Sequence, residues 1–217
     1  MLSLEGKRIR QAAVDSLTQF IESAIHAFLL ARSVYPRSSF GCHMRFGIAV
    51  WLCDVKSVKS YVRRICMSLQ NILLHDRVHA IVIETPQEKF TIELPKDFPK
   101  SVFYALPTGS PRTELEIKSL CASALREALI YLDRKLGKVT DHRMNDETAS
   151  QQTWEVYVDL KNSSAQATET MDMPSGWIIE ERAANFDSGS MTVQRKPIKS
   201  TMMGENVVIS TYSDILG

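Results

Sequence analysis

The side chains that could bind a metal or act as nucleophiles are spread along the 217 residues without a recognisable site. The chain has four cysteines, Cys42, Cys53, Cys66 and Cys121. None forms a CxxC pair or has a partner at zinc-finger spacing,. Cys66 and Cys121 fall within apolar helical patterns, where a free thiol packs as a small hydrophobic side chain. The spacing therefore predicts reduced, scattered thiols in an intracellular protein and no metal site.

The histidines also favour structural roles over catalysis. His26 lies beside the apolar face of a predicted helix, which is typical of a packed or interface histidine. Cys42 and His43 are adjacent in sequence, so their side chains diverge and form no catalytic pair by themselves,. His75 and His79 flank a predicted helix end, where a histidine interacts favourably with the helix dipole.

No motif for phosphate, dinucleotide, serine-hydrolase or zinc-protease chemistry is present, so the sequence favours a protein that is not an enzyme. A small α+β enzyme with a dispersed site stays open, because catalytic residues can come from distant positions. The 26 basic and 25 acidic residues give a net charge of +1 and no general attraction to nucleic acid,. Hydrophobic residues make up 44%, and no apolar run approaches the ~20 residues of a membrane span,. We expect protein partners, no direct sequence-specific nucleic-acid binding and no membrane association.

Three helices are predicted from apolar residues that recur at spacings of three and four. The first covers Glu5 to Val34, before the stop at Pro36, and the second covers Val55 to His75, with Asp54 as its cap,. The third opens on the capping box Thr113-x-x-Glu116 and runs to Leu136, with Gly137 closing it,.

Strands are predicted in the intervening segments. Met44 to Leu52 reads as one irregular strand containing Gly47, and Trp154 to Leu160 alternates as a regular strand,. Val78 to Ile83 and Lys89 to Leu94 form a hairpin through Thr85-Pro86-Gln87, with the first strand interior because it is apolar on both faces,. The segment from Pro95 to Pro111 is a loop.

The C-terminal part differs in kind from the rest. A polar linker from Lys161 to Ser175 precedes β-prone pieces at 177–179, 191–195 and 207–212. These pieces cannot form a core alone, so they must add to the existing sheet as its least stable part. The element order predicts an α+β fold, with three helices on one face of a mainly antiparallel sheet. We predict a single domain over 1–217, with a core at about 5–160 and a C-terminal region at about 161–217.

The segment from Phe20 to Pro36, which reads FIESAIHAFLLARSVYP and is followed by Phe40, resembles the first helix of HORMA domains. Further similar segments follow in the family's order along nearly the whole chain: Tyr61-Val62, LREAL at 125–129, GWII at 176–179 and PIKST at 197–201. The similarity is greatest to the HORMA accessory subunits of translesion DNA polymerase zeta. The resemblance implies a HORMA fold whose C-terminal β-rich region, the safety belt, wraps over a partner peptide.

That resemblance implies a nuclear, non-catalytic adaptor without cofactors that acts in DNA damage tolerance. The partner peptide would come from the catalytic subunit of DNA polymerase zeta. A second surface would recruit an inserter translesion polymerase or a second HORMA domain. Spindle-checkpoint signalling and meiotic axis assembly, which use the same belt, remain alternatives.

The resemblance also assigns roles to particular residues. Trp177 would pack on the bound peptide under the belt, and Tyr61 of the second helix would contact the same peptide; ordinary core packing is the alternative for both. Arg126, Leu129 and Ile130 of the third helix would form the dimerisation or second-partner surface, with a solvated arginine as the alternative for Arg126.

The closing segment departs from the family pattern. Arg195 and Lys196 precede Pro197, where the mammalian-type members of the family have an apolar residue shortly before a Pro-Leu-Lys segment. The resemblance therefore does not extend to the part of this segment that is expected to bind an inserter polymerase.

Overall fold

The computed structural model describes residues 4–94, 113–140, 153–161, 194–202 and 208–215, with side chains described for 4–94, 113–136 and 153–161. The loop predicted from Pro95 to Pro111, the linker after Lys161 and the predicted strand at 177–179 lie outside these ranges.

Helix α1 (Leu4–Ala31) forms the centre of the domain. Its wide apolar stripe is buried, and Phe20, Ile25 and Phe28 have no exposed surface. The helix ends earlier than predicted because Ser33 adopts a positive φ of 50°. The N–H groups of Ser33 and Val34 donate to the carbonyls of Leu30 and Leu29, both at 3.1 Å, which are the two bonds of a Schellman motif,.

The segment predicted as one irregular strand is instead a two-stranded hairpin of β1 (Phe40–Arg45) and β2 (Ile48–Cys53). The prediction was wrong because Phe46 and Gly47 both have positive φ, 50° and 75°, and so reverse the chain. Two consecutive residues with positive φ form the tight turn that matches strand twist, but Phe46 lacks the usual asparagine or aspartate signal.

Helix α2 (Lys56–Leu74) follows the hairpin, within a residue of the predicted bounds. The predicted cap was wrong: Val55 occupies the cap position, and no side chain caps the helix. Asp54 instead contacts His43 Nε2 at 3.0 Å and Lys59 Nζ at 3.3 Å, which uses the carboxylate that a cap would need.

The predicted hairpin of β3 (Val78–Glu84) and β4 (Glu88–Glu93) is confirmed. The Thr85 N–H donates to the Glu88 carbonyl at 2.9 Å across the turn. The predicted third strand is β5 (Glu155–Leu160), which pairs antiparallel with the other side of β3 and so makes β3 interior.

Helix α3 (Glu114–Thr140) begins at the predicted capping box. The Thr113 N–H donates to Glu116 Oε2 at 2.8 Å, and the Glu116 N–H donates to Thr113 Oγ1 at 3.3 Å,. The predicted end was wrong, since the helix continues through Gly137. A helix tolerates an interior glycine at a cost of about 1 kcal/mol.

The C-terminal strands β6 (Gln194–Met202) and β7 (Val208–Ile215) join the main sheet, as predicted for this part of the chain. The sheet has the order β5-β3-β4-β7-β6, and every pairing in it is antiparallel. Helix α1 packs between α2 and α3, and α3 reaches β6. The architecture is therefore the predicted α+β arrangement of three helices on an antiparallel sheet.

An ion pair and stacked aromatic rings fasten α1 to the sheet. Arg32 forms a two-point contact with Glu88 at the β3–β4 turn, through Nε to Oε2 and through Nη2 to Oε1 at 2.7 Å. Phe28 stacks on Phe90 of β4 with ring centroids 5.5 Å apart. These contacts fix the orientation of α1 over the middle of the sheet.

Candidate functional site

Across the residues that the structure describes, the sheet has one regular edge without a strand partner, along β5. Within the described residues β5 pairs with β3 only, so alternate backbone N–H and C=O groups of its other side have no strand partner. Such an edge is a template onto which another extended chain can add. The edge covers six residues, the length of an ordinary strand,.

The two faces of β5 differ in chemistry. Val156, Val158 and Leu160 pack against the domain core. Glu155 and Asp159 are exposed on the opposite face, as expected from the two-residue period of a strand,. A chain that adds to this edge would therefore place one set of side chains over apolar surface and the alternate set beside carboxylates.

An aromatic cluster marks the beginning of the edge. Trp154 Nε1 donates to the Tyr35 hydroxyl at 2.9 Å, and the Tyr61 ring meets the Trp154 ring at 69° with centroids 5.3 Å apart. Tyr61 remains 40% exposed. This cluster joins the ends of α1 and β5 to α2 and leaves an aromatic surface accessible beside the open edge.

Contacts near both ends of helix α2 connect it to β5. Tyr61 near the start of α2 contacts Trp154, while Arg77 and Asp76, just beyond its end, bind Lys161 at the end of β5. The Lys161 N–H donates to the Arg77 carbonyl at 2.7 Å, and Lys161 Nζ lies 2.6 Å from Asp76 Oδ1. The position of β5 is thus fixed at both of its ends by contacts with α2 and the residues just after it.

The opposite edge of the sheet is a poorer template. It is formed by β6, which contains Pro197 and has a register irregularity between Pro197 and Lys199. Proline removes a backbone donor, and bulges and lysines at an edge discourage further pairing. Of the two outer strands, β5 is therefore the one suited to accept a further strand.

The residues predicted for a second-partner surface lie on the other side of α1. Arg126 Nε donates to the Phe46 carbonyl at 2.7 Å, so this exposed arginine is attached to the β1–β2 turn. Leu129 is only 4% exposed. Leu129 and Ile130 line a pocket of about 130 Å³ together with Leu30 of α1 and Val50 and Trp51 of β2.

The structure therefore separates the predicted site residues into two places. Tyr61 lies at the β5 edge, whereas Leu129 and Ile130 line the pocket beside α3, and Arg126 of the same helix binds the β1–β2 turn. Trp177 lies outside the described residues, so its assigned role stays a prediction. Sequence reasoning placed Trp154 on a strand but missed its contacts with Tyr35 and Tyr61, because no local pattern reveals partners so distant in sequence.

Burial shifts the pKa values of His26, Cys66 and Cys121 in the described part of the chain. Burial, reinforced by the positive charges of Lys59 and Arg45, lowers the pKa of His26 to about 4, so this histidine is neutral near pH 7. Burial raises the pKa of the Cys121 thiol to about 11 and also raises the pKa of Cys66. Thiols of this kind are poor nucleophiles at neutral pH.

The described part of the chain contains no group of three or more His, Cys, Asp or Glu side chains placed to hold a metal ion. In the same residues, no helix is both long and apolar enough to cross a membrane.

The arrangement of three helices on an antiparallel sheet with C-terminal strands at one edge is the HORMA fold. A chain in a structure of the mitotic checkpoint complex matches over 96% of this chain and 97% of its own length, at 12% identity and a TM-score of 0.66. HTP-2 bound to HTP-3 motif-6 matches over 93% of this chain and 88% of its own, at 12% identity and a TM-score of 0.56. These neighbours are HORMA-domain proteins.

A further neighbour is C. elegans HTP-1 bound to a HIM-3 closure motif, which matches over 94% of this chain and 91% of its own. The identity is 11% and the TM-score 0.53. No protein-family model and no curated protein matches the sequence. At these identities the similarity shows the fold alone.

Proposed function

We propose that this protein is a non-catalytic HORMA adaptor that binds an extended partner peptide as an additional strand along β5. The proposal rests on the outer side of β5, which pairs with no other described strand and so offers backbone groups to an extended peptide,. The Tyr61–Trp154 cluster beside it offers aromatic surface, and buried aromatic anchors supply much of the affinity at protein interfaces,.

In this proposal residues 161–217 act as the safety belt. Strands β5 and β6 are consecutive described strands but lie at opposite edges of the sheet, so the connection between Lys161 and Gln194 joins the two edges. We propose that this connection passes over the bound peptide and that Trp177 packs on it. The neighbours HTP-1 and HTP-2, which are bound to closure motifs in their structures, support a peptide-binding role for this fold.

The FIESAIHAFLLARSVYP segment and the later motifs resemble those of HORMA accessory subunits of DNA polymerase zeta, and this resemblance supports a finer assignment. We propose that the peptide comes from the catalytic subunit of DNA polymerase zeta and that the complex acts in translesion DNA synthesis in the nucleus. The surface around Arg126, Leu129 and Ile130 would then accept an inserter polymerase or a second HORMA domain. Its separation from β5 would let both partners bind at once.

The second candidate is a spindle-checkpoint or meiotic HORMA adaptor. The structural similarity to a chain of the mitotic checkpoint complex and to HTP-1 and HTP-2 favours this candidate. It uses the same β5 edge with a different peptide. The source of the peptide therefore distinguishes the two assignments.

The test is a pulldown with peptides tiled along the polymerase zeta catalytic subunit of the same organism. We expect one segment to bind, and we expect Trp177→Ala and Tyr61→Ala each to weaken it by about 2 kcal/mol if the residue is a binding hot spot. Met67→Ala is the matched control, because Met67 is another exposed apolar residue of α2, six positions further along the helix than Tyr61.

Each other outcome overturns a defined part of the proposal. If the folded protein binds no segment of that subunit but binds a checkpoint or meiotic peptide, the polymerase assignment is wrong and peptide capture stands. If binding is unaffected by Tyr61→Ala, the aromatic surface formed by Tyr61 and Trp154 is not part of the peptide site.

A further inference from the structure

The outer face of the β5 edge carries two negative charges that the surrounding described residues do not neutralise. Glu155 and Asp159 are both exposed, and their positions four residues apart place them on the same face of the strand,. Asp159 forms no ion pair among the described residues. Glu155 accepts a hydrogen bond from the Tyr157 hydroxyl, which is neutral.

The neighbouring strand β3 supplies no positive charge to these carboxylates. In the β3–β5 register, Glu155 lies opposite Glu84 and Asp159 lies opposite Ala80. Like charges directly opposite each other are unfavourable in a sheet. Glu84 forms an ion pair with Lys89, whose Nζ lies 3.2 Å from Glu84 Oε2.

The lysine that follows β5, Lys161, forms an ion pair elsewhere. Its Nζ lies 2.6 Å from Asp76 Oδ1. Among the described residues no positive charge neutralises Glu155 or Asp159, and a strand added along β5 would place its side chains beside both carboxylates.

From this charge pattern we infer that the protein selects a partner peptide with two basic residues four positions apart, on the strand face opposite its apolar anchors. The inference rests on the proposed strand addition. It does not depend on strand direction, because a parallel and an antiparallel peptide both place every second residue on the same face. The apolar residues between would face Val156 and Val158.

Strand pairing supplies affinity for most extended peptides, since it uses backbone groups. The two carboxylates supply discrimination, because an acidic peptide residue beside Glu155 or Asp159 would be repelled. Binding at this edge would thus depend on the spacing of basic residues in the peptide as well as on its apolar residues.

The experiment is a selection on the immobilised full-length protein from a phage-displayed library of random peptides of about 12 residues, long enough to overlap the whole of β5,. Wild type and the Glu155→Lys/Asp159→Lys double variant are selected in parallel. We expect wild type to enrich pairs of Lys or Arg at the four-residue spacing and the double variant to enrich Asp or Glu there.

The enriched wild-type peptide is then titrated against single variants. Asp159→Lys should weaken binding about tenfold, because it converts a cross-strand attraction into a repulsion, and Lys→Glu in the peptide should restore it. Glu5→Lys on α1 is the control, since it makes the same charge change at an exposed site far along the chain from β5. A thermal melt of each variant establishes that it is folded.

Single backbone N-methylations of the same peptide separate the inference from the proposed function. Loss of binding at alternate positions, together with unchanged binding to Asp159→Lys, would leave strand addition standing and refute the charge selection. Enriched peptides without a basic pair would refute it equally. If no peptide is enriched, or if N-methylation has no alternating effect, strand addition itself is wrong and the inference falls with it.

Discussion

The stability of this protein should fall as the pH is lowered from 6.5 to 4, because of one buried histidine. His26 has no exposed surface, and its Nδ1 accepts a hydrogen bond from the Cys53 N–H at 3.3 Å. Its Nε2 is buried without a hydrogen-bond partner in the described residues. The nearby charges of Lys59 and Arg45 add to burial in disfavouring a protonated ring.

The direction and size of this pH-dependent change in stability follow from the pKa values of His26 in the unfolded chain and in the folded protein. The pKa of His26 is lowered from 6.5 to about 4 in the folded protein, so the unfolded chain binds a proton across this window and the folded protein does not. The free energy of unfolding is therefore highest above pH 6.5 and declines as the pH falls to about 4. Integrated over the window, the loss is about 3 kcal/mol.

The assay is urea denaturation at a series of pH values between 7.5 and 4, a range that brackets the two His26 pKa values,. His26→Asn keeps an oxygen acceptor near the Cys53 N–H and cannot be protonated, so its stability should vary much less with pH. His75→Asn is the control, because His75 is exposed and should leave the wild-type dependence unchanged. Equal pH dependence in wild type and His26→Asn would refute the reasoning.

Two further perturbations test the contacts that hold the helices to the strands. Arg32→Ala should lower the unfolding free energy by about 3 kcal/mol, because the buried Glu88 carboxylate loses its two-point contact with the Arg32 guanidinium; Arg32→Met combined with Glu88→Leu should recover most of the loss,. Gly47→Ala should cost about 1–2 kcal/mol, since φ is +75° and Arg126 Nη2 lies 3.2 Å from the added Cβ, while Gly47→Asn should cost less,. Both are measured by chemical denaturation, and an Arg32→Ala variant as stable as wild type would contradict the role of the ion pair.

The features predicted correctly from the sequence are those that local rules specify. The apolar periodicity of α1, the capping box at Thr113 and the alternation of β5 each involve residues close in sequence, so a pattern and a structure correspond directly. The prediction that the C-terminal pieces join the sheet followed from their inability to bury a core by themselves.

The wrong predictions concern features that depend on contacts between residues far apart in sequence. Asp54 is a residue type that commonly caps helices, but its carboxylate contacts His43 across the hairpin instead. Phe46 adopts a left-handed conformation although phenylalanine gives no turn signal, and Arg126 of α3 binds its carbonyl. The open edge of β5 could not be found from its own sequence either, because an edge is defined by the pairing of the whole sheet.

Strand addition at β5 is tested most directly by amide hydrogen exchange of residues 155–160, with and without the bound peptide. Alternate amides of an edge strand point away from its partner, so in the free protein they exchange quickly. Peptide binding should protect these outward-pointing amides and leave their neighbours, already bonded to β3, unchanged. Protection that appears instead around the pocket formed with Leu129 and Ile130, with none along β5, would contradict the proposed site.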